Sequence, residues 1–278
     1  MSKTAPPWLK SQGGAALALL APALGGLAYL AFSGAPFSYL LVNAGALVLA
    51  LGALIFVRLP QPAAPTRGVA VSLLAVLALP LVTGPSLDGV SRWLPLGPLT
   101  LHAGFLAVPL FVRLVAHDAL IRPWVTLTAI LIAFAHPDTG TALALTFAAI
   151  SVAFAARDRW TAVVAALGIF AAIGANFAGD LPPQPFVEGI LTDLWPSQPL
   201  ASAALAATLL ASMVLVLKAT DWPRTERFAL AGALAGFTLA ALLANYPYPL
   251  IGYGAASILG WGLALARRPA NASKGTQS

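Results

Sequence analysis

The amino-acid sequence predicts an all-α fold: a polytopic transmembrane helical bundle of about ten spans with both termini cytoplasmic. Three observations predict it. Hydrophobic residues make up 59% of the 278 and charged residues only 9%, far below the roughly 25% charge of a soluble domain. Apolar stretches recur along the whole chain. The basic residues fall, with one exception, in alternate gaps between those stretches.

The stretches lie at 13–33, 37–57, 68–83, 99–116, 123–136, 141–156, 161–178, 199–217, 228–244 and 249–266. A helix crosses the hydrocarbon core with about 20 apolar residues, so this length is counted in spans. The first stretch follows Lys3 and Lys10 and ends Ala-Phe-Ser-Gly-Ala, as a signal peptide does. Its apolar run exceeds an ordinary signal core, so it reads as a retained span after a cytoplasmic tail, 1–12. A single transmembrane domain, 13–268, and a polar cytoplasmic tail, 269–278, complete the expected organisation. The Asn271-Ala-Ser273 sequon in that tail reads as chance.

Residues 123–156 could form one kinked helix, but Arg122 and Arg157 would then mark both its ends as cytoplasmic. Two short spans fit better. Fourteen helical residues rise only about 21 Å, less than the roughly 30 Å core. The turn His136-Pro137-Asp138-Thr139-Gly140 is therefore expected below the outer surface. Polar groups at that depth must be buried in protein or line a wet cavity, so an outward-opening pocket is predicted.

Sidedness follows from the fifteen Lys and Arg residues. Lys3, Lys10, Arg58, Arg67, Arg113, Arg122, Arg157, Arg159, Lys218, Arg224, Arg227, Arg267, Arg268 and Lys274 all fall on one side. Only Arg92 falls on the other. Positive loops stay in the cytoplasm. Asp88, Asp138, Asp180, Glu188 and Asp193 fall on the outer side. The net charge of +6 is spread singly between apolar stretches, which suits anionic membrane lipids and not nucleic acid. There is no cysteine, so neither a disulfide nor a thiolate metal site can form.

Four outer segments hold the chemistry-bearing side chains. In Gly89-Val-Ser-Arg92-Trp93, the lone outward base is a natural partner for a phosphate or diphosphate through its forked guanidinium. An Arg–Trp anchor at the membrane edge is the bland reading. In the sunken turn, His136, Asp138 and Thr141 are candidates because an intramembrane acid is functional by default; Asp138 or Thr139 reads equally well as a helix N-cap. Between Pro182 and Pro196, Glu188 is placed to act as a general base, unless it is a solvated loop acid. Asn245-Tyr-Pro247-Tyr-Pro249 through Ser257 reads as a re-entrant turn carrying Tyr253. His102 lies within reach of these segments. His117, on the inner side, reads as incidental. Three separated histidines without clustered carboxylates do not make a metal site.

Taken in order, these segments resemble the SEDS family (shape, elongation, division, sporulation), the FtsW/RodA type of cell-wall polymerase. Gly89, Arg92, Trp93, Gly97 and Pro98 match its G-x-x-R-W loop and L-G-P. Pro137, Asp138, Gly140 and Thr141 match its P-D-x-G-T turn. Pro247, Pro249, Ile251, Tyr253, Gly254 and Ser257 match, in register, its P-x-P-F-I-S-Y-G-G-S-S stretch. Its Q-P-S-E motif is absent: His102-Ala-Gly-Phe105 stands there. Phe186-Val-Glu188-Gly-Ile190 stands for its H-T-D-F-I, with Glu188 at the catalytic aspartate. The long outer segment between spans seven and eight, with its G-Y-Q-x-x-Q-S stretch, is reduced to about twenty residues.

The resemblance implies a glycosyltransferase of the bacterial plasma membrane that uses a polyprenyl-diphosphate-linked sugar at the outer face. Glu188 would be catalytic, and Arg92, Trp93, His102, His136, Asp138, Thr141, Tyr253 and Ser257 would surround the substrate. The family's usual partner is a single-span transpeptidase. No cofactor is implied with certainty, and a divalent cation is left open. The missing Q-P-S-E and shortened loop keep a second reading alive, a degenerate scaffold that binds precursor or a division partner without chemistry. A flippase is a third, disfavoured by the lack of an inverted repeat.

Overall fold

The structure, a computed structural model, describes residues 7–97, 99–179, 181–219 and 222–268, with side chains from residue 12 onward. Expectations for Lys3, Pro98, Asp180, Lys274 and the 269–278 tail lie outside the described residues, as does the side chain of Lys10.

Twelve α-helices and one β-hairpin follow in order among the described residues. They are α1 (Pro7–Phe32), α2 (Phe37–Phe56), α3 (Ala63–Ala78), α4 (Pro80–Thr83), β1 (Trp93–Leu96), β2 (Leu99–His102), α5 (Ala103–Val115), α6 (Arg122–Ala135), α7 (Thr139–Ala156), α8 (Arg159–Ala178), α9 (Ile190–Leu194), α10 (Pro199–Leu217), α11 (Arg224–Leu243) and α12 (Ala255–Ala264). Seven helical segments are long and apolar enough to cross a membrane, with α3 and α4 forming one of them as Ala63–Thr83. Three further apolar helices, α5, α6 and α12, are shorter. The chain is a multi-pass helical bundle.

Several boundaries differ from the sequence reading: α3 begins at Ala63 and not at 68, α11 at Arg224 and not at 228, and α12 at Ala255 and not at 249. The first helix begins at Pro7, before residue 13. The stretch expected to be helical from 99 begins as a strand: β1 and β2 pair antiparallel with Trp93 opposite His102, and α5 starts only at Ala103. Four alternating residues are too few to betray a strand inside an apolar run.

Helix starts are chemically marked. Asp138 caps α7 by accepting from Thr141 N, and Asp158 caps α8 by accepting from Trp160 N and Thr161 N, each satisfying N–H groups that have no partner within the helix. Prolines stand in the first turn of α6 and α10, where a missing N–H costs nothing. Residues 122–156 form two helices and not one kinked helix, and of these only α6, at 14 residues, is short, whereas α7 has 18.

Small residues let the helices close on one another. A Cβ added at Gly236 would stand 2.4 Å from Leu143 O, so α11 lies directly on α7. The same holds at Gly260, where α12 meets α5 with Phe105 O at 2.1 Å. Close backbone approach is how helices associate in lipid, where apolar burial between them gains little.

The loops gather at two ends. At one end, Leu59 N donates to Arg267 O at 2.9 Å, Arg67 pairs with Asp118, Arg122 with Asp158, and Glu226 bridges Arg113 and Arg268. At the other end lie the hairpin, the 181–189 loop and the 245–254 turn. Just after Glu188 the chain forms the short helix α9. Its Ile190, Leu191 and Leu194 pack with Leu205, Leu209, Tyr248 and Ile251, while Thr192, Asp193 and Trp195 stay exposed.

Candidate functional site

At the hairpin end a cavity of about 470 Å³ opens between α2, the hairpin, the 184–188 loop and the start of α12. Arg92, Trp93, His102, Glu188, Tyr253 and Ser257, all anticipated from sequence, line it. His136, Asp138 and Thr141 do not. They lie one layer deeper, at 1%, 1% and 0% exposure.

Glu188 reaches the cavity because its loop is stitched to the 245–254 turn. Tyr253 N donates to Phe186 O at 2.8 Å, and Tyr248 N donates to Val187 O at 3.3 Å. Gly189 then turns the chain into α9 with φ +68°, a conformation cheap only for glycine. The side chain is half-buried, and its Oε2 accepts from Gln184 N. Burial raises the Glu188 carboxyl above its ordinary 4.5, opposed in smaller measure by the Gln184 N–H and by Arg92. A carboxyl raised in this direction suits a general base working near neutral pH. The other acid of this segment, Asp193, is exposed and takes no part in the lining.

Arg92 is 7% exposed, yet among the described residues no carboxylate lies within salt-bridge distance of it, and its Nε has no hydrogen-bond partner. Its guanidinium instead sits 4.9 Å from the Trp93 ring centre and 5.0 Å from that of Tyr246. Cation–π contact holds the guanidinium by its face and leaves its N–H edge for another acceptor.

Behind Arg92 runs a hydrogen-bonded chain. Tyr246 Oη donates to Asp138 Oδ1 at 2.5 Å and lies 2.7 Å from His102 Nε2. His102 Nδ1 accepts from Phe105 N at 3.3 Å. An ionised carboxylate can only accept, so the one phenolic proton goes to Asp138. The Tyr246 oxygen must then accept from His102, which assigns the proton to Nε2. Both ring nitrogens are thereby engaged, and His102 has no free lone pair to act as a base. Asp138 also accepts from Thr141 N at 3.0 Å, so it is an N-cap and a partner of the site's inner wall at once.

The P-D-x-G-T turn has a further physical reading. A Cβ at Gly140 would stand 2.0 Å from the Tyr246 ring, and one at Gly104 would stand 1.7 Å from Thr141 Oγ1. Glycine at 140 thus seats Tyr246, and threonine at 141 fills the gap beside Gly104.

Ser257 lines the cavity, but its hydroxyl accepts from Leu250 N at 3.0 Å and so holds the turn. Tyr253 stacks on Tyr39 with ring centres 3.6 Å apart and planes 8° from parallel. Tyr39, Asn43 and Tyr246 were not among the sequence candidates. Asn43 could have been found as the one amide side chain within α2, and Tyr246 as a phenol wedged before a proline. Tyr39 carries no comparable signal. No group of three or more His, Asp or Glu among the described residues could hold a metal ion.

No family model and no curated protein matches the sequence. Solved structures do match. The crystal structure of the rod shape determining protein RodA of Thermus thermophilus superposes with a TM-score of 0.68 at 21% identity, covering 94% of this chain and 97% of that one. A mutant of that RodA with one aspartate changed to alanine gives 0.67 at 21% identity, covering 91% and 95%. A chain from a structure on how polymerization and crosslinking are coordinated by a peptidoglycan synthase complex gives 0.60 at 20%, covering 91% and 96%. Over nearly its whole length, this chain therefore has the polytopic helical fold of RodA.

Proposed function

We propose that this chain is a SEDS-type glycosyltransferase of the bacterial plasma membrane, polymerising or transferring a polyprenyl-diphosphate-linked cell-wall sugar. The observation that carries the proposal is the meeting of Glu188 and Arg92, 96 positions apart in numbering, on one cavity. The bases crowd the opposite end, so the cavity faces away from the cytoplasm if positive loops stay inside.

The step balances simply. The acceptor hydroxyl oxygen attacks the anomeric carbon, and a new glycosidic C–O bond forms. The bond from that carbon to the diphosphate oxygen breaks, and polyprenyl diphosphate leaves with the electron pair. Glu188 takes the hydroxyl proton. Arg92 presents its N–H edge to the diphosphate, where negative charge grows as the bond breaks. A donor already in place costs no reorganisation during the step, and this is where a protein gains most rate.

His136, Asp138 and Thr141 then act from behind the wall, and Tyr253 with Tyr39 shapes the side opposite the hairpin. The likeness to a peptidoglycan synthase complex supports a partner that crosslinks, of the single-span transpeptidase kind. The test is polymer formation from lipid-linked disaccharide by the purified full chain. Glu188→Gln should leave no polymer. Full polymerisation by that variant would end the proposal, whereas a partner pull-down that survives it without turnover in the wild type would favour a scaffold.

A further inference from the structure

Two buried, oppositely charged side chains touch the same third residue and not each other. Asp138 accepts from the Tyr246 hydroxyl at 2.5 Å, and the Arg92 guanidinium lies over the Tyr246 ring at 5.0 Å. Among the described residues no Arg92–Asp138 contact falls within salt-bridge distance. In a medium this apolar, an unobstructed arginine and aspartate would draw together, and a paired fork has its N–H edge occupied.

We infer that Tyr246 is a spacer, a positioning residue that keeps Asp138 from pairing with Arg92 and so leaves the Arg92 N–H edge free for the diphosphate of a prenyl-linked substrate. This rests on the glycosyltransferase reading and goes beyond it by assigning a role to a residue that touches neither reacting centre. The division of labour is specific. The ring takes the cation by its face, the hydroxyl takes the carboxylate, and neither uses the donors that an external anion needs. Arg92 Nε is correspondingly without a partner. Asp138 still lowers the cost of burying the cation, because its charge acts across the ring.

The spacer is held rigidly. Tyr246 is 2% exposed, and Gly140 leaves no room for even a methyl group beside its ring. The His102 Nε2–H, donated to the Tyr246 oxygen, fixes the hydroxyl from the cavity side. Tyr246 could instead be ordinary filling, and a double variant separates the two. If it only fills space, then adding Asp138→Asn to Tyr246→Leu, which removes the charge and keeps an acceptor, leaves the Arg92 donors as they were, and diphosphate binding stays at the level of Tyr246→Leu. If it is a spacer, the same addition removes the acid onto which Arg92 collapses, and binding returns.

The experiment measures binding of geranylgeranyl diphosphate, with geranylgeraniol as the uncharged control, to the full chain in detergent by quenching of tryptophan fluorescence. The wild type should prefer the diphosphate. Tyr246→Leu should weaken diphosphate binding by about tenfold, the scale of one charge-assisted contact, with the alcohol unaffected. Tyr246→Phe, which keeps the ring, should retain most of the binding. Tyr246→Leu/Asp138→Asn should recover most of what Tyr246→Leu loses. Diphosphate binding by Tyr246→Leu equal to wild type, or a double variant no better than Tyr246→Leu, overturns the inference alone. A wild type that does not distinguish diphosphate from alcohol overturns the glycosyltransferase reading and the spacer together. If Tyr246→Leu does not fold, Tyr246→Met carries the same comparisons.

Discussion

Asn43, in the second turn of α2, grips the turn at 252–254 from both sides. Its Nδ2 donates to Gly252 O at 3.0 Å, and its Oδ1 accepts from Gly254 N at 3.0 Å. One helical turn earlier, Tyr39 stacks on Tyr253. An amide and a phenol on one face of one helix thus hold the irregular backbone that carries the cavity's wall. Irregular backbone within an apolar bundle depends on such protein partners. Asn43→Ala leaves Gly252 O and Gly254 N unpaired, at about 1–3 kcal/mol for each buried group. The expected outcome is a fall of several degrees in the thermal midpoint of the detergent-solubilised chain, with loss of polymerisation. An unchanged midpoint would show that the turn stands without α2.

Glu226 carries two cations at the opposite end. Its Oε2 accepts from Arg113 Nε at 3.0 Å and its Oε1 from Arg268 Nη1, while Arg113 also donates to Ala266 O at 2.8 Å and lies 3.9 Å over the Trp222 ring. Glu226 and Arg113 are 0% and 1% exposed. Removing the acid strands the buried Arg113 guanidinium and takes the carboxylate from the part-buried Arg268, a change that costs on the order of 3–5 kcal/mol. The Arg67–Asp118 pair offers a contrast, since the Arg67 side chain is 42% exposed and an ion pair open to solvent contributes little. Thermal unfolding of Glu226→Ala and Asp118→Asn in parallel should show a large loss for the first and almost none for the second. Equal losses would refute the ranking.

Apolarity and charge act residue by residue along a chain, so the bundle and the segregation of bases are legible in the sequence. So is the shortness of α6, because the charge marks at Arg122 and Arg157 force a second span. The hairpin is not, since Leu99 to His102 adjoin a genuine helix and share its apolar character. Within the site, Glu188 and Arg92 can be read from motif order. Tyr246 and Asn43 cannot be assigned partners, because those lie 108 and 209 residues away and only packing reveals them. Asp138 illustrates the middle case. Its burial can be expected from span lengths, but a single sequence cannot tell a group that lines a cavity from one that holds the wall behind it.

Gly236 tests how tightly the α7 and α11 pair must close. A Cβ there would meet Leu143 O at 2.4 Å and Ala144 Cα at 2.6 Å, both backbone atoms with no rotamer to yield. Gly236→Ala should therefore push the helices apart, at about 1–3 kcal/mol for overpacking. Because α7 begins at the Asp138 cap, the same variant should also lower activity. A thermal midpoint equal to wild type would mean that the helices separate without cost.

At Glu188 stability and the proposed activity pull in opposite directions. Burial raises its carboxyl above 4.5, with Gln184 N–H and Arg92 pulling the other way less strongly. The folded chain therefore holds this proton more firmly than the unfolded chain does. The stabilising contribution is complete below about 4.5, the ordinary value, and is lost as pH rises through the folded value. At neutral pH the ionised carboxylate is a liability to the fold, yet the base must be ionised to accept a proton. Glu188→Gln should accordingly unfold at a higher temperature than wild type at neutral pH, with the gap narrowing on acidification, while forming no polymer. Wild-type polymerisation should fall on acidification with a midpoint above that of an exposed glutamate. If Glu188→Gln unfolds no later than wild type at neutral pH, or if the acidic fall in rate survives in a partly active Glu188→Asp at an ordinary carboxylate midpoint, the raised carboxyl is not what limits the proposed activity.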